Sequence, residues 1–322
     1  MEPGDTAQSV AGAEIASAVA LGRAVADNLR QAVEVRDDVI DDLVVAMVAG
    51  GHVLIEDLPG VGKTTLARAL AHTFDLEFAR VQCTADLLPA DVVGTNIFNQ
   101  REDRFEFRPG PIFANVVLVD EINRASPKTQ SGLLECMQER RVTVDVFTHE
   151  LARPFLVIAT QNPVEYEGTY PLPEAQVDRF MVRLSLGYPT AEGEAAMLHR
   201  HEQGDRVAAL RPVADAAALL AAQDAAGRVR ASAALRDYIV ALLRHTREDH
   251  RAELGASPRS GLMLLRAAKA RALLAGRDHA LPDDVQALAP SVLAHRIVLA
   301  PEAYDGDPVA VVTDAIAATP AR

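Results

Sequence analysis

The stretch that most constrains the fold of this chain reads His52-Val-Leu-Ile-Glu-Asp-Leu-Pro-Gly-Val-Gly-Lys-Thr-Thr65. Its apolar residues from Val53 predict a buried strand that ends near Glu56, and the residues from Lys63 onward predict a helix. Between them lies a tight loop with two glycines, which let the backbone turn its N–H groups toward a single point. Phosphate oxygens bind at such a point, so the stretch predicts a phosphate-binding loop between a strand and a helix.

The side chains around this loop suit an anionic ligand. Lys63 supplies a positive charge for the β- and γ-phosphates, Thr64 offers a hydroxyl to Mg²⁺, and the new helix directs its positive end at the same anion. The residues expected to contact nucleotide are Leu58, Pro59, Gly60, Val61, Gly62, Lys63, Thr64 and Thr65. Asp57 replaces the first glycine of the usual G-x-x-x-x-G-K-[ST] pattern. The alternative, an accidental Gly-Lys-Thr in a surface turn, is disfavoured by the flanking strand and helix.

The composition limits the classes of function. The chain has 322 residues and a formal net charge of −13, so it lacks the bulk basic surface that holds nucleic acid, although a local basic channel is compatible with it. No apolar run is long enough to cross a membrane, and the N-terminus lacks the basic region of a signal peptide. We therefore expect a cytoplasmic protein without membrane insertion, in which Cys83 and Cys136 are small buried side chains.

The order of predicted elements divides the chain into three parts. Residues 1–30 comprise a disordered tail up to about residue 12 and an Ala-rich amphipathic helix. Residues 31–190 alternate strands with helices, which is typical of an α/β fold with a parallel sheet. In residues 191–322 Ala and Leu dominate and long helical periods appear, which predicts an all-helical second domain.

Two further strands of the first domain lead into polar residues. The apolar run Val116–Val119 precedes Asp120 and Glu121, and the run Phe155–Ala159 leads toward Asn162. Ligands bind at the carboxyl ends of parallel strands, where Asp120 would hold Mg²⁺ and Glu121 would deprotonate the attacking water. Asn162 could bind the γ-phosphate or that water, or it could be an ordinary turn residue before proline. An acidic pair at a strand end is common by chance, and it gains significance from the phosphate loop upstream.

Two segments with a period of two interrupt the alternation of strands and helices. Residues 95–108 contain Phe105 and Phe107 between charged residues, and residues 142–151 begin with alternating valines. Both segments predict antiparallel hairpins. They are either plain surface hairpins or inserted functional loops.

The order of these motifs resembles the AAA+ ATPases, and within them the MoxR family, over roughly residues 30–300. The matching stretches are Glu56-Asp-Leu-Pro-Gly-Val-Gly-Lys-Thr64, Val119-Asp-Glu-Ile-Asn-Arg-Ala125, Ala159-Thr-Gln-Asn-Pro163, Pro171-Leu-Pro-Glu-Ala-Gln-Val-Asp-Arg-Phe180, Gly255-Ala-Ser-Pro-Arg-Ser260 and His295-Arg296. Several motifs in order are far more specific than any one of them. The acidic Asp57 also resembles usage in this family. The Gly-Gln pair that the family often has near the adenine pocket is absent, because the equivalent stretch reads Ala32-Val-Glu-Val-Arg36.

The resemblance implies roles for the residues around the phosphate loop. Lys63 and Thr64 resemble the Walker A pair, and Asp120 and Glu121 resemble the Walker B pair. Asn162 resembles the polar sensor-1 residue. ATP and Mg²⁺ are the ligands that these roles imply.

The resemblance also implies contacts between subunits. Arg179 resembles the arginine finger, which reaches the nucleotide of a neighbouring subunit, and Arg259 resembles sensor 2, which couples the lid to the γ-phosphate. Arg259 could instead be a helix-start arginine on a solvated face. Arg124 resembles a further subunit-interface residue, and the hairpins at 95–108 and 142–151 resemble loops that face the central pore of related rings.

The expected protein is thus an α/β P-loop AAA+ core, a parallel sheet flanked by helices, followed by a C-terminal helical lid. It would form a homo-oligomeric ring, expected to be a hexamer, that hydrolyses ATP at subunit interfaces. The protein would use the energy of ATP hydrolysis to remodel or activate a client protein, or to insert the client's metal or cofactor. It would often act together with a von Willebrand factor A-domain partner. One alternative is a DNA-directed AAA+ motor or loader, against which the net charge argues. The other is a nucleotide-gated switch that hardly turns over, against which the presence of Glu121 and Arg179 argues.

Overall fold

The computed structural model of the chain describes residues 10–162, 169–188, 191, 193–194, 206–303 and 306–321. Most of the tail predicted for residues 1–12 lies outside the described residues, and so does Pro163 of the Ala159–Pro163 motif. Within the described ranges, no helix combines the length and the apolar character that crossing a membrane requires.

Five parallel strands form the central sheet. In spatial order they are β2 (Phe78–Gln82), β5 (Val116–Asp120), β8 (Leu156–Gln161), β1 (Val53–Glu56) and β9 (Val182–Leu184). All four neighbouring pairs run in the same direction. Strands β5, β8 and β1 confirm the three strands predicted from their apolar runs, and β2 coincides with the alternating apolar residues of Phe78–Cys83. The edge strand β9 was not predicted, because three residues are too few to show a period.

The side chains of the central strands alternate between two apolar cores. In β5, Val116 and Leu118 belong to the core on one face of the sheet, and Val117 and Val119 belong to the core on the other. All five residues of β5 are buried. A strand that is covered on both faces has no polar side, which explains its unbroken apolar run.

Helices cover both faces of this sheet. The first core includes side chains of α1 (Gly12–Ala32), α2 (Asp37–Val48) and α3 (Lys63–Thr73), and the second includes side chains of α4 (Pro89–Val93) and α5 (Pro127–Glu139). A short helix, α6 (Glu174–Val177), precedes β9. The Ser126 hydroxyl, directly before Pro127, caps α5 by accepting a hydrogen bond from the Thr129 N–H at 3.4 Å.

Both predicted hairpins are present and they contact each other. The first consists of β3 (Gly94–Asn99) and β4 (Arg104–Pro109), and the second of β6 (Arg141–Val144) and β7 (Phe147–Glu150). The side-chain amide of Asn96 donates to the Asp145 carboxylate at 2.6 Å. The His149 ring of the second hairpin stacks on Phe107 of the first, with ring centroids 3.9 Å apart.

The C-terminal part of the chain is helical with one addition. From residue 206 onward, the helices among the described residues are α7 (Arg206–Ala209), α8 (Ala216–Arg228), α9 (Ala233–Glu248), α10 (Pro258–Leu274), α11 (Pro282–Leu293) and α12 (Pro308–Ala318). A two-stranded antiparallel ribbon, β10 (Ala252–Leu254) with β11 (Val298–Leu299), corrects the expectation that every element here is a helix. After α11, Ala294–Arg296 form a single 3₁₀ turn rather than a further helix, and the turn leads into β11, where β-branched Ile297 and Val298 favour extended backbone.

One core joins the first helix, the sheet and the C-terminal helices. Helix α1 packs against α3, α8 and α10, and Glu14 of α1 forms an ion pair with Arg228 of α8 at 2.6 Å. Buried residues of α2 and α10 belong to the same apolar cluster. The predicted domain boundary near residue 190 lies where few residues are described, so it stays a prediction.

Asp42 lies on the side of α2 that faces the C-terminal helices. Its burial there should make the stability of the protein depend on pH, which tests this packing. Burial, with a smaller contribution from the neighbouring Asp38 and Asp41, raises its pKa to about 6 against the opposing effects of Ser291 and Arg271. The folded-state pKa therefore lies above the unfolded value, and stability falls as the pH rises between about 4 and 6. We expect Asp42→Asn to raise the free energy of unfolding at pH 7.5, by on the order of 2 kcal/mol, and much less at pH 4.

Urea unfolding at both pH values measures this difference. Asp237→Asn on the exposed surface of α9 is the matched control, and we expect it to change stability little at either pH. An equal effect of the two substitutions at pH 7.5 would contradict the burial argument.

Candidate active site

The phosphate loop has the backbone geometry that an anion requires. It leaves β1 after Glu56 and enters α3 at Lys63, and Gly60 and Gly62 have φ angles of +87° and +94°. A side chain other than glycine would be strained at either φ. At both glycines a Cβ atom would meet nothing within 4 Å, so the loop borders open space rather than protein. A loop of this form fits a chain of phosphates.

Asp57, the departure from the usual pattern, has a structural role. Its buried carboxylate accepts hydrogen bonds from the Leu58 N–H at 2.9 Å, the Gly187 N–H at 2.8 Å and the Ser185 hydroxyl at 3.2 Å. The start of the phosphate loop is thereby fixed to the segment that follows β9. The Lys63 ammonium donates to the Asp57 carbonyl at 2.7 Å, which holds the lysine over the loop.

Asp120 lies at the carboxyl end of β5 with both of its oxygens engaged. One oxygen accepts from the Thr160 hydroxyl and the other from the Arg80 guanidinium, each at 2.6 Å. Thr160 in turn accepts the Glu121 N–H at 2.9 Å. This network orients Asp120 and connects three strands, and it suits a carboxylate that holds Mg²⁺ through the ion's water shell.

Sequence reasoning did not assign roles to Arg80 or Thr160. The signal was available in part, because Arg80 lies in the alternating stretch Phe78–Cys83 and Thr160 directly follows the apolar run that ends at Ala159. The sequence does not reveal the strand order, which places β2 on one side of β5 and β8 on the other and so brings both residues to Asp120.

Glu121 has an uncommon backbone conformation. Its φ is +57°, in the left-handed region that non-glycine residues rarely adopt. Its carboxylate forms an ion pair with Arg124 at 2.9 Å within the same chain, and its side chain is 30% exposed. Such a conformation costs on the order of 1 kcal/mol and is concentrated at functional sites, so its presence here favours a chemical role for Glu121.

The carboxyl end of β8 is held beside the phosphate loop. The Glu56 carboxylate accepts from the Gln161 amide and from the Arg183 guanidinium, each at 2.8 Å. Asn162 follows Gln161 directly and is half-buried. Asn162 therefore lies at the same sheet edge as Glu56 and Asp120.

Arg179 and Arg259 lie close to each other, but away from the phosphate loop and from Asp120. The Arg179 guanidinium donates to the Leu134 carbonyl of α5, and its Nε is buried without a hydrogen-bond partner in the described part of the chain. Burial and the charge of Arg259 lower the pKa of Arg179, which Glu135 and Glu139 raise. The structure thus groups two arginines whose charges repel each other.

The register of β9 shows on which edge of the sheet this pair lies. The Met181 N–H donates to the His52 carbonyl at 2.7 Å, and Val182 is level with Val53 at the amino end of β1. The phosphate loop begins about four residues further along β1, roughly 13 Å away at the rise of a strand. Arg179 precedes Met181 and is therefore at the amino edge, whereas the loop, Asp120 and Asn162 are at the carboxyl edge.

A buried ion pair connects the segment of Arg179 to the lid. The Asp178 carboxylate accepts from the Arg296 guanidinium at 2.8 Å, and the hydroxyls of Ser257 and Ser260 lie 3.3 and 3.4 Å from it. Only 2% of the Arg296 side chain is exposed. Burial lowers the pKa of Arg296 to about 10, and Asp178 opposes that effect. Ser257 caps α10, the helix that carries Arg259. Because Asp178 contacts this cap and directly precedes Arg179 in the chain, it fixes the position of Arg179 relative to Arg259.

Fold and loop together define a P-loop ATPase of the AAA+ class, and comparisons with known proteins agree. A model of the ATPase family associated with various cellular activities (AAA) matches residues 52–182, and a model of the AAA lid domain matches residues 244–315. The uncharacterized protein YeaC of Bacillus subtilis is 51% identical over 88% of this chain and 88% of its own length. Chaperone MoxR1 of Mycobacterium tuberculosis is 41% identical over 82% of this chain and 72% of its own.

More distant relatives extend the similarity. Protein MoxR of Methylorubrum extorquens is 33% identical over 85% of this chain and 86% of its own. A solved structure of a Cytophaga hutchinsonii protein, named for an inferred ATPase activity, is 39% identical with a TM-score of 0.88 and covers 96% of each chain. This chain therefore belongs to the MoxR family of AAA+ ATPases.

The Asp178–Arg296 pair generates a stability prediction. We expect Asp178→Asn to lower the free energy of unfolding by roughly 3 kcal/mol, because it leaves a buried guanidinium without its carboxylate. The double substitution Asp178→Asn with Arg296→Met should recover much of that loss, since the unpaired charge is then gone.

Urea unfolding of the two variants beside Asp237→Asn measures the effect. A loss for Asp178→Asn no larger than for the Asp237→Asn control would show that the pair does not join the lid to the core.

Proposed function

We propose that this chain hydrolyses ATP at sites shared between copies in a ring, expected to be a hexamer. The observation that carries the proposal is that Arg179 and Arg259 lie at the amino edge of the sheet, away from their own phosphate loop. A second copy whose carboxyl edge faces this pair would place its nucleotide within reach of both guanidiniums. The contacts between copies would then complete the site.

In each copy, the residues of the loop would bind the phosphates of ATP. Backbone N–H groups of residues 60–65 would surround the β-phosphate, and Lys63 would add its charge beside the γ-phosphate. The Thr64 hydroxyl and Asp120 would hold Mg²⁺, which neutralises charge on the phosphates when bound. Asp57, already engaged by three hydrogen-bond donors, would keep the loop open for the substrate.

Glu121 would act as the general base. Its carboxylate would accept a proton from water as that water attacks the γ-phosphate, and Asn162 would orient the same water. The Glu121–Arg124 ion pair competes with this role, so the base becomes available when Arg124 turns away. An approaching neighbour could draw Arg124 away, which fits the subunit-interface role expected for that residue.

Arg179 and Arg259 would stabilise the transition state on the neighbouring copy. Charge develops on the γ-phosphate oxygens during transfer, and paired guanidiniums would offset it. The repulsion between the two arginines in the isolated chain would be relieved by that anion. Because both belong to one cluster, Arg259 would act on the same nucleotide as Arg179 rather than on its own.

The paired hairpins would contact a client protein. Phe105 of the first hairpin is 70% exposed, and Val146 and Phe147 of the second are 83% and 63% exposed. Apolar side chains exposed in this number favour a protein partner rather than solvent. The Asn96–Asp145 hydrogen bond would make the two hairpins move together. The client could be a von Willebrand factor A-domain protein, as the family resemblance implies, and the cytoplasm is its expected location.

The decisive substitution for hydrolysis is Glu121→Gln. We expect it to retain ATP binding and to lower the turnover number by about 100-fold or more, because the amide cannot accept the proton of the attacking water. Lys63→Ala is the comparison, for which we expect loss of ATP binding itself.

Fluorescent-nucleotide binding and phosphate release measure the two steps separately. Unchanged turnover in Glu121→Gln would remove Glu121 from the role of base. Tight ATP binding by Lys63→Ala would overturn the assignment of the loop.

A further inference from the structure

A cavity of about 390 Å³ lies at the amino edge of the sheet, between the core and the lid helices. It borders the end of α2 at Gly50, the end of α5, the segment before β8, and one side each of α8 and α10. Its walls include four cationic side chains, which are Arg140, Arg153, Arg266 and Lys269. We call it the cationic cavity.

The charges of this cavity are unbalanced. One carboxylate lines it, that of Asp224, and this group already forms an ion pair with Arg228 at 3.0 Å. Neither Arg140 nor Arg153 has a side-chain hydrogen bond or a carboxylate partner within residues 10–162, 169–188 and 206–303. Arg153 and Arg266 are exposed at the opening of the cavity, whereas Arg140 and Lys269 are half-buried, so an anion bound there would reduce the repulsion that solvent only partly screens.

The protein itself positions two of these cations. The Arg266 guanidinium donates to the Ala49 carbonyl at 2.6 Å, and the Lys269 ammonium donates to the Gly227 carbonyl at 3.0 Å. Both retain further N–H donors, because a guanidinium has five and an ammonium three. Burial, with Arg140 beside Arg266, lowers the pKa of the Arg266 group. The cations are thus held in place while they repel one another.

We propose that the cationic cavity binds a small anion that carries two or more phosphate groups. Arg140 and Arg153 would be its main ligands, with Arg266 and Lys269 supporting them. A single carboxylate would leave most of the local charge unbalanced, whereas a pyrophosphate group would compensate it and match the planar fork of each arginine. The volume lies in the range of small-ligand sites.

This site is separate from the phosphate loop of the same chain. Arg153 and Pro154 precede β8, and Gly50 precedes β1, so the cavity lies at the opposite end of the parallel strands from Gly60 and Lys63. Along α10, Arg266 is seven residues beyond Arg259, which is about 10 Å at the rise of a helix. An anion in the cavity would lie beside the arginine pair of the proposed shared site without occupying it.

Inorganic pyrophosphate is the probe, and Lys63→Ala is the background, because that substitution removes the competing phosphate loop. We expect isothermal titration to show pyrophosphate binding to Lys63→Ala. Adding Arg140→Gln and Arg153→Gln should weaken that binding roughly 100-fold, since two charge-assisted contacts are lost. The matched control adds Arg230→Gln and Arg244→Gln, two exposed arginines elsewhere, which lower the net charge equally and should leave the affinity unchanged.

Thermal unfolding without ligand separates lost binding from lost folding. The Arg140→Gln and Arg153→Gln variant should unfold at the same or a higher temperature than its background, because it loses repulsion and no hydrogen bond. Citrate in place of pyrophosphate tests the chemistry, and binding of citrate as tight as that of pyrophosphate would overturn the preference for phosphate. The proposal is also overturned if Lys63→Ala binds no pyrophosphate, or if the Arg140→Gln and Arg153→Gln variant binds it as well as the control does.

Discussion

All five strands of the sheet point the same way, and the arrangement of functional residues depends on this direction. Parallel strands bring their carboxyl ends to one edge, so the phosphate loop, Asp120 and Asn162 meet there although they are far apart in the chain. The same direction puts the start of β9, and with it Arg179, at the other edge. One copy therefore offers a phosphate site at one edge and a pair of arginines at the other.

The lid takes part in this arrangement through Asp178. Its carboxylate joins Arg296 and lies against the first turn of α10, so movement of α10 would move Arg179 and Arg259 as one unit. The shared apolar core of α2 and α10 makes the connection between lid and core stiff. Under the proposed shared site, a nucleotide bound by one copy would be sensed through the lid of the next.

Much of this could be predicted from the sequence because the strongest signals are local. The glycines of the phosphate loop, the apolar run before Asp120 and the alternating hairpins each specify their structure over a few residues. The three-residue strand β9 and the ribbon of β10 and β11 have no such signal, since their pairing depends on distant segments. Asp178 and Arg80 also escaped assignment, because their partners, Arg296 and Asp120, are distant in sequence and meet only in the folded chain.

We propose that Arg179 serves the nucleotide of another copy, and the ATPase activity of mixed assemblies measures whether it does. Arg179→Ala and Glu121→Gln should each be nearly inactive alone, and co-assembled they should recover activity, since some sites combine an intact Glu121 with an intact neighbouring Arg179. A mixture of Lys63→Ala with Glu121→Gln is the control and should stay inactive, because both defects lie in the same half of the site. We expect recovery in the first mixture and none in the second, and no recovery in either mixture would exclude a site shared between copies in this way.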